Sequence, residues 1–220
     1  MNTRAGEPAT RRRAPALDVA IVGGGMVGAT AALALARAGF AVALLEARAP
    51  TAWSAQDELD LRVVGLAPSS LALLDDLGVW TSIREARAGL YTHMHVWDAA
   101  SGAAIDFDAA SEGRAGLGYI VENSLIQWTL WQALTEAGVR QLCPAEVTGF
   151  EAREDRVQLQ LADGDSLSAS VLVAADGAGS PLRQLAGIGT HGRDYAQRAV
   201  VAHVATERPH EHTAWQRFLP

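Results

Sequence analysis

Asp18 to Arg48 reads DVAIVGGGMVGATAALALARAGFAVALLEAR, and the reading of the whole chain turns on it. Val19 to Val22 is a short apolar run rich in β-branched residues, the pattern of a strand buried on both faces of a parallel sheet. Gly23, Gly25 and Gly28 follow as G-x-G-x-x-G. The first suits a tight turn, the second lets backbone approach a pyrophosphate, and the third permits close helix-to-strand packing. Met26 to Ala38 is built of strong helix formers, and Gly39 stands where a helix ends. The start of that helix aims free N–H groups and a positive dipole end at any phosphate held by the turn. Phe40 to Leu45 is a second strand, closed by Glu46 where this fingerprint places the acid that binds a ribose hydroxyl. A carboxylate there would repel a 2′-phosphate. Strand, turn, helix, strand and acid in this order predict a dinucleotide site rather than a purely structural βαβ unit, without specifying the dinucleotide.

The 220 residues suffice for a sizeable core, as one large domain or two small ones. A composition of 49% hydrophobic and 20% charged residues is that of an ordinary globular protein, and a net charge of −7 argues against a nucleic-acid partner. All 18 basic residues are arginine, so Schiff-base and P-loop lysine chemistry are excluded. The single cysteine, Cys143, excludes an internal disulfide and a cysteine-built metal site, fits a reducing compartment, and reads as a small buried hydrophobe. Residues 1–16, with Arg4, Arg11, Arg12, Arg13, Pro8 and Pro15, read as a flexible extension. The apolar run after the arginine pair is interrupted by three glycines and reads as the first strand rather than an export signal. No stretch is long and glycine-free enough for a transmembrane helix.

Further along, residues 49–60 are polar and irregular, Leu61 to Leu66 is extended, and Pro68 opens a helix over Ser69 to Leu77 with Leu71, Leu74 and Leu77 on one face. Arg62 has two readings, a surface arginine paired with Asp60 or a contact to phosphate or flavin. Tyr91 to Trp97 and Ile105 to Phe107 alternate about a turn at Ser101-Gly102, predicting a hairpin in a second, antiparallel layer. His93 and His95, like His210 and His212, have a spacing a metal could use, but no third ligand is placed, so they read as polar-face histidines. Tyr119 to Val121 is a strand, and Asn123 or Ser124 can cap the helix from Leu125 to Ala137, whose core face carries Ile126, Leu130 and Leu134 with Trp128 and Trp131 at its flank. Residues 145–170 read as a meander with a turn at Asp163-Gly164.

VLVAADGAGSPLR, Val171 to Arg183, is a second strand-to-helix turn at a sheet's carboxyl edge, where ligands of open α/β folds sit. Ala196 to Ala205 and Thr213 to Leu219 read as two more strands. With no cap before Pro220, a sheet edge left open suggests a polypeptide cut within its second layer.

These segments together resemble the flavoprotein aromatic hydroxylases, most closely the ubiquinone-biosynthesis enzymes that hydroxylate polyprenyl phenols and benzoquinols. The resemblance is carried by VGGGMVG (Val22 to Gly28), RVVGLAPSSLALLDDLGVW (Arg62 to Trp80), GYIVENSLIQWTLWQAL (Gly118 to Leu134) and VAADGAGSPLRQLAGI (Val173 to Ile188). YAQRAVVAHV from Tyr195 and TAWQRFLP from Thr213 extend it. It implies an α/β fold with a Rossmann-like FAD-binding domain (17–88 and 111–190) and an incomplete antiparallel substrate-domain sheet (89–110 and 191–220). It also implies FAD, with Gly23, Gly25 and Gly28 at the pyrophosphate and Glu46 at the adenosine ribose. Arg62 would lie beside the phosphates or flavin and Asn123 at the ribityl-phosphate region. Asp176, Gly177 and Arg183 match a motif associated with FAD and the NAD(P)H donor.

The activity implied is hydroxylation of a prenylated phenol or quinol ring by O2, in a site where water is kept from the cofactor. The family's third flavin motif, a Gly-Asp segment, lies in a C-terminal half beyond these residues. No catalytic acid or base is therefore assigned, His203, Trp215, Gln216 and Arg217 are candidates for the substrate cavity, and FAD retention is expected to be weak or absent. A cytoplasmic protein in peripheral contact with the inner membrane and with other ubiquinone-biosynthesis proteins is also implied. Two other readings stay open: a fragment that acts only by binding partners or lipid, and a flavin oxidoreductase that does not insert oxygen.

Overall fold

A computed structural model describes residues 17–220, so the expected flexible extension lies outside the described residues. In chain order, β1 (Leu17–Val22), α1 (Met26–Arg37) and β2 (Val42–Leu45) make the opening unit. β3 (Val63–Leu66), α2 (Pro68–Asp76), α3 (Trp80–Arg87), β4 (Ala88–Tyr91), β5 (His93–Asp98) and β6 (Ala104–Asp108) follow. Then come β7 (Gly118–Glu122), α4 (Asn123–Glu136), β8 (Arg140–Leu142), β9 (Val147–Ala152), β10 (Val157–Leu161) and β11 (Ser166–Ala174). The last elements are α5 (Pro181–Leu185) and β12 (Thr213–Phe218).

A six-stranded sheet, ordered β8-β2-β1-β11-β10-β9, carries the fold. β1 lies parallel to β2 and β11, which explains the unbroken apolar run Val19 to Val22: both faces are covered there. Val19, Ile21, Val42 and Leu44 face a core shared with α1 and α4, while Ala20, Val22, Ala43 and Leu45 face a second core closed by the meander residues Val147, Leu159 and Leu167. Ala29 and Ala32, completely buried, let α1 approach α4, whose Ile126, Leu130 and Leu134 complete the inner face. β2 starts at Val42 rather than Phe40, because Gly39 (φ +92°) closes α1 and the Phe40 N–H is bonded back to the Leu35 carbonyl.

The meander and the late parallel strand, expected as separate pieces, are continuous. The first half of β11 pairs antiparallel with β10, and its second half runs parallel to β1. Val171 is 51% exposed, so the strand is covered less fully there than its sequence suggests.

Two three-stranded sheets flank this body. Tyr91 to Trp97 is not one strand: β4 ends at Tyr91 and joins β3 and β7, whereas β5 and β6 form the expected hairpin, with β12 added parallel to β5. α3 has no sequence signal at its start, since Val79 offers no side-chain cap, and is held by burial of Trp80 and Ile83. The strand expected over Ala196 to Ala205 does not form. Val200 and Val204 are 93% and 77% exposed, and the segment has no ladder partner among the described residues to satisfy its backbone. Among the described residues, no helix is long and apolar enough to cross a membrane.

Because Leu130 is completely buried between α4 and α1, Leu130→Ala is expected to lower stability by about 3 kcal/mol in chemical denaturation. Leu73→Ala, at a position 46% exposed on α2, should lower it by less than about 1 kcal/mol.

Candidate functional site

The two strand-to-helix turns meet. The Gly23 backbone lies against that of Ala175 and Asp176, so that a Cβ on Gly23 would sit 2.3 Å from the Ala175 carbonyl oxygen. A cleft of about 550 Å³ opens there at the carboxyl ends of β1 and β11, lined by Gly23, Gly25, Glu46, Arg62, Asn123, Asp176 and Gly177 from the sequence-derived set. Gly28 is not in the lining. It packs behind the turn, where a Cβ would stand 1.9 Å from the Gly23 carbonyl oxygen. Arg183 lines a neighbouring groove of about 670 Å³ on the other side of the Asp176-Gly177 turn, and its Nη2 donates to the Ala178 carbonyl at 2.9 Å.

Gly25 contrasts with these tight glycines. A Cβ added to it would meet nothing within 4 Å, and its φ of −68° is ordinary for any residue. Among the described residues nothing requires glycine at this position. It stands at the head of α1, twelve residues long, which has neither a side-chain cap nor an acidic residue in its first turn. The open N–H groups and the positive end of the helix dipole therefore face the cleft uncompensated, the arrangement that favours an anion. Space at Gly25 and unmatched donors around it fit a pyrophosphate.

Gly24, between the motif glycines, is held by three side chains. Its N–H donates to Glu46 Oε2, its carbonyl accepts from Gln127 Nε2 at 2.9 Å, and Trp131 closes over its Cα. Glu46 Oε1 accepts the Arg48 N–H at 3.1 Å, so the carboxylate is fixed while each oxygen keeps a lone pair free. Gln127 escaped the sequence reading. Its signal was a polar residue four positions after Asn123, hence on the same helix face.

Asn123 does not cap α4. The cap position is Glu122, and Asn123 begins the helix with its N–H donating to the Arg62 carbonyl at 2.8 Å. Asp60 does bind Arg62, but through backbone: Oδ1 accepts the Arg62 N–H at 2.9 Å and Oδ2 the Ser124 N–H at 3.2 Å. The Arg62 N–H is the main reason, with Ser124 adding to it and partial burial opposing it, that Asp60's carboxyl is held below the usual carboxylate range. Arg62 thus keeps its guanidinium for the cleft. On the far wall, Asp176 accepts the Leu182 N–H at 3.0 Å and the Ser180 hydroxyl, and Ser180 caps α5 through the Arg183 N–H at 3.0 Å. Burial, and then the negative charge of Glu46, pushes the half-buried Cys143 thiol up.

Of the substrate candidates, none lines either cleft. His203 Nε2 lies 3.0 Å from the Asp60 carbonyl. Trp215 packs edge-on against His95 and Trp97, Arg217 shares its face of β12, and Gln216 points to the opposite face. His93 and His95 are engaged across the hairpin by Asp108 and Asp106.

A family model described as FAD binding domain matches residues 16–219. The chain is 38% identical over 204 residues to 3-demethoxyubiquinol 3-hydroxylase of Escherichia coli K12, covering 92% of this chain and 52% of that protein. It is 35% identical over 217 residues to the ubiquinone hydroxylase UbiL of Rhodospirillum rubrum, covering 97% of this chain and 49% of that protein. The chain thus spans about half the length of these curated relatives. Among solved structures it resembles p-nitrophenol 4-monooxygenase PnpA of Pseudomonas putida DLL-E4, with a TM-score of 0.64 and 25% identity over 78% of this chain and 44% of that one.

Asp60's lowered pKa gives a signed expectation. A group depressed in the folded state contributes stability above its unfolded value, about 3.9, and loses it as pH falls through the folded value. Denaturation midpoints of wild type and Asp60→Asn should therefore differ at pH 7 and converge below about pH 4.

Proposed function

The chain belongs to the FAD binding domain family, and on that premise we propose that its cleft holds FAD in a monooxygenase that hydroxylates a polyprenylated phenol or benzoquinol ring of ubiquinone biosynthesis, using NAD(P)H and O2. The observation that carries the reading is Gly25, a glycine that no contact within the protein demands, at the uncapped head of α1. The names of the relatives, a demethoxyubiquinol hydroxylase and a ubiquinone hydroxylase, support the substrate class.

In this reading the pyrophosphate lies over Gly23 and Gly25, with Gly28 keeping α1 close behind the turn. Glu46, its geometry set by Gly24 and Arg48, offers its spare lone pairs to the adenosine ribose. Among the described residues Arg62 supplies the one positive charge of the lining, and Asn123 the polar contact toward the ribityl chain. Asp176 and Gly177 close the opposite wall. Arg183, on the groove side of that wall, is assigned to the nicotinamide donor's approach. FAD, when bound, supplies the redox chemistry and the activation of oxygen. The protein's task is to bind, orient and exclude water.

The residues divide into an FAD-binding unit, 17–88 and 111–190, and a substrate-side sheet drawn from 89–110 and 191–220. The parallel pairing of β12 with β5 supports joining the second pair of segments, whereas β4 (Ala88–Tyr91) pairs with β7 and so goes with the FAD-binding unit. His203, Trp215, Gln216 and Arg217 belong to the substrate side. The prenyl tail of such a substrate favours a cytoplasmic protein working at the inner membrane surface alongside other enzymes of the same route.

Added FAD is expected to bind saturably, read as quenching of flavin fluorescence, even where little is retained through purification. Gly25→Val should abolish that binding with an unchanged thermal midpoint, because the new side chain enters open space that the phosphates would fill. Retained binding in Gly25→Val would remove the turn from the site. Product analysis with a prenylphenol, O2 and either nicotinamide tests the reaction in the complete protein.

A further inference from the structure

Arg62 of the cleft lining is held by Asp60, which does not line the cleft, and in turn holds a second lining residue, Asn123. Asp60 accepts the Arg62 N–H at 2.9 Å, and the Arg62 carbonyl accepts the Asn123 N–H at 2.8 Å. Asp60 is itself anchored, since its own N–H donates to Glu122 Oε2 at 2.8 Å. Glu122 is 4% exposed and its other oxygen, Oε1, accepts from Arg87 Nη1 at 3.0 Å. The guanidinium of Arg87 does more than neutralise this carboxylate. Its Nη2 donates to the Ala55 and Asp57 carbonyls at 2.7 and 3.3 Å, and its plane lies over Trp53 at 5.1 Å from the ring centroid. One side chain at the end of α3 thus ties the whole connection between β2 and β3 to the start of α4.

The structure assigns to Arg87 the role of a positioning residue: through Glu122 and Asp60 it sets where Arg62 presents its charge to the cofactor phosphates. We propose this on the strength of the FAD reading above. The chemistry favours the assignment. A buried carboxylate needs a partner with several well-directed donors, and a planar guanidinium can serve Glu122 and two carbonyls at once. Removing Arg87 leaves Glu122 with an uncompensated buried charge and frees residues 53–61, so Arg62 loses the fixed backbone from which it reaches the ligand. Arg87 does not line the cleft, so any effect on the ligand must pass through the connection.

The test is a double-mutant cycle read by FAD titration. Arg87→Met should weaken FAD binding about tenfold in the wild-type background, and by less than about twofold when Arg62→Met is already present. Equal weakening in both backgrounds, or none in the first, overturns the assignment. If Arg87→Met fails to fold, Asp60→Ala removes the acceptor of the Arg62 N–H, one step nearer the cleft, and carries the same two expectations. A wild-type protein that binds no added FAD would overturn the parent reading and this one together, whereas wild-type binding with additive variants overturns this one alone.

Discussion

The backbone of the first strand-to-helix turn and that of the last parallel strand occupy almost the same space, and the rest of the structure follows from that contact. A Cβ on Gly23 would overlap the Ala175 carbonyl, and one on Gly28 would overlap the Gly23 carbonyl. Only hydrogen fits at either Cα, so β1, α1 and β11 converge more closely than side chains normally allow. The convergence brings the head of α1 and the Asp176-Gly177 turn to opposite walls of one cleft, although some 150 residues of chain separate them.

Around this contact the electrostatics are arranged by backbone more than by charge pairs. Three carboxylates in or beside the lining accept backbone N–H groups, Glu46 from Gly24 and Arg48, Asp60 from Arg62 and Ser124, and Asp176 from Leu182, while Glu146 adds a further acid to the lining. Each of these three fixes a turn, and Asp60 makes no side-chain ion pair with Arg62 although the two charges attract. Among the described residues the lining holds one cation, Arg62, beside the head of α1, while Glu46 and Asp176 are occupied in holding loops. Removing any one of these acids should therefore disturb geometry before it disturbs charge.

The βαβ unit was legible because its physics is local. Strand, glycine turn, alanine-rich helix and acid each leave a mark within a few residues, and the second strand starts two residues late, with Phe40 retained by the closing turn of α1 and the Ala41 N–H taken by Asp18. The second turn was legible for the same reason. What escaped depended on distant partners. α3 is short, uncapped and held by burying Trp80 and Ile83; Ala196 to Ala205 alternates like a strand but finds no ladder partner; Tyr91 to Trp97 alternates continuously yet divides between two sheets. Within the site, Gln127 and Arg87 went unseen because a polar side chain reaching a backbone carbonyl far along the chain has no sequence period. Asn123, taken for a cap on propensity, is displaced from that role by Glu122, whose carboxylate is committed to Arg87 and Asp60.

β11 also has a consequence for synthesis. Its N-terminal half closes locally on β10, but its C-terminal half completes β1, which left the ribosome some 150 residues earlier. At typical elongation of about 5–20 residues per second, one edge of β1 waits roughly 8–30 s for its neighbour. During that interval a largely apolar strand edge is open to the wrong strand, from the same polypeptide or another. The nascent chain should thus be most vulnerable to misassembly before β11 emerges, and chaperone demand should fall once the meander has delivered it.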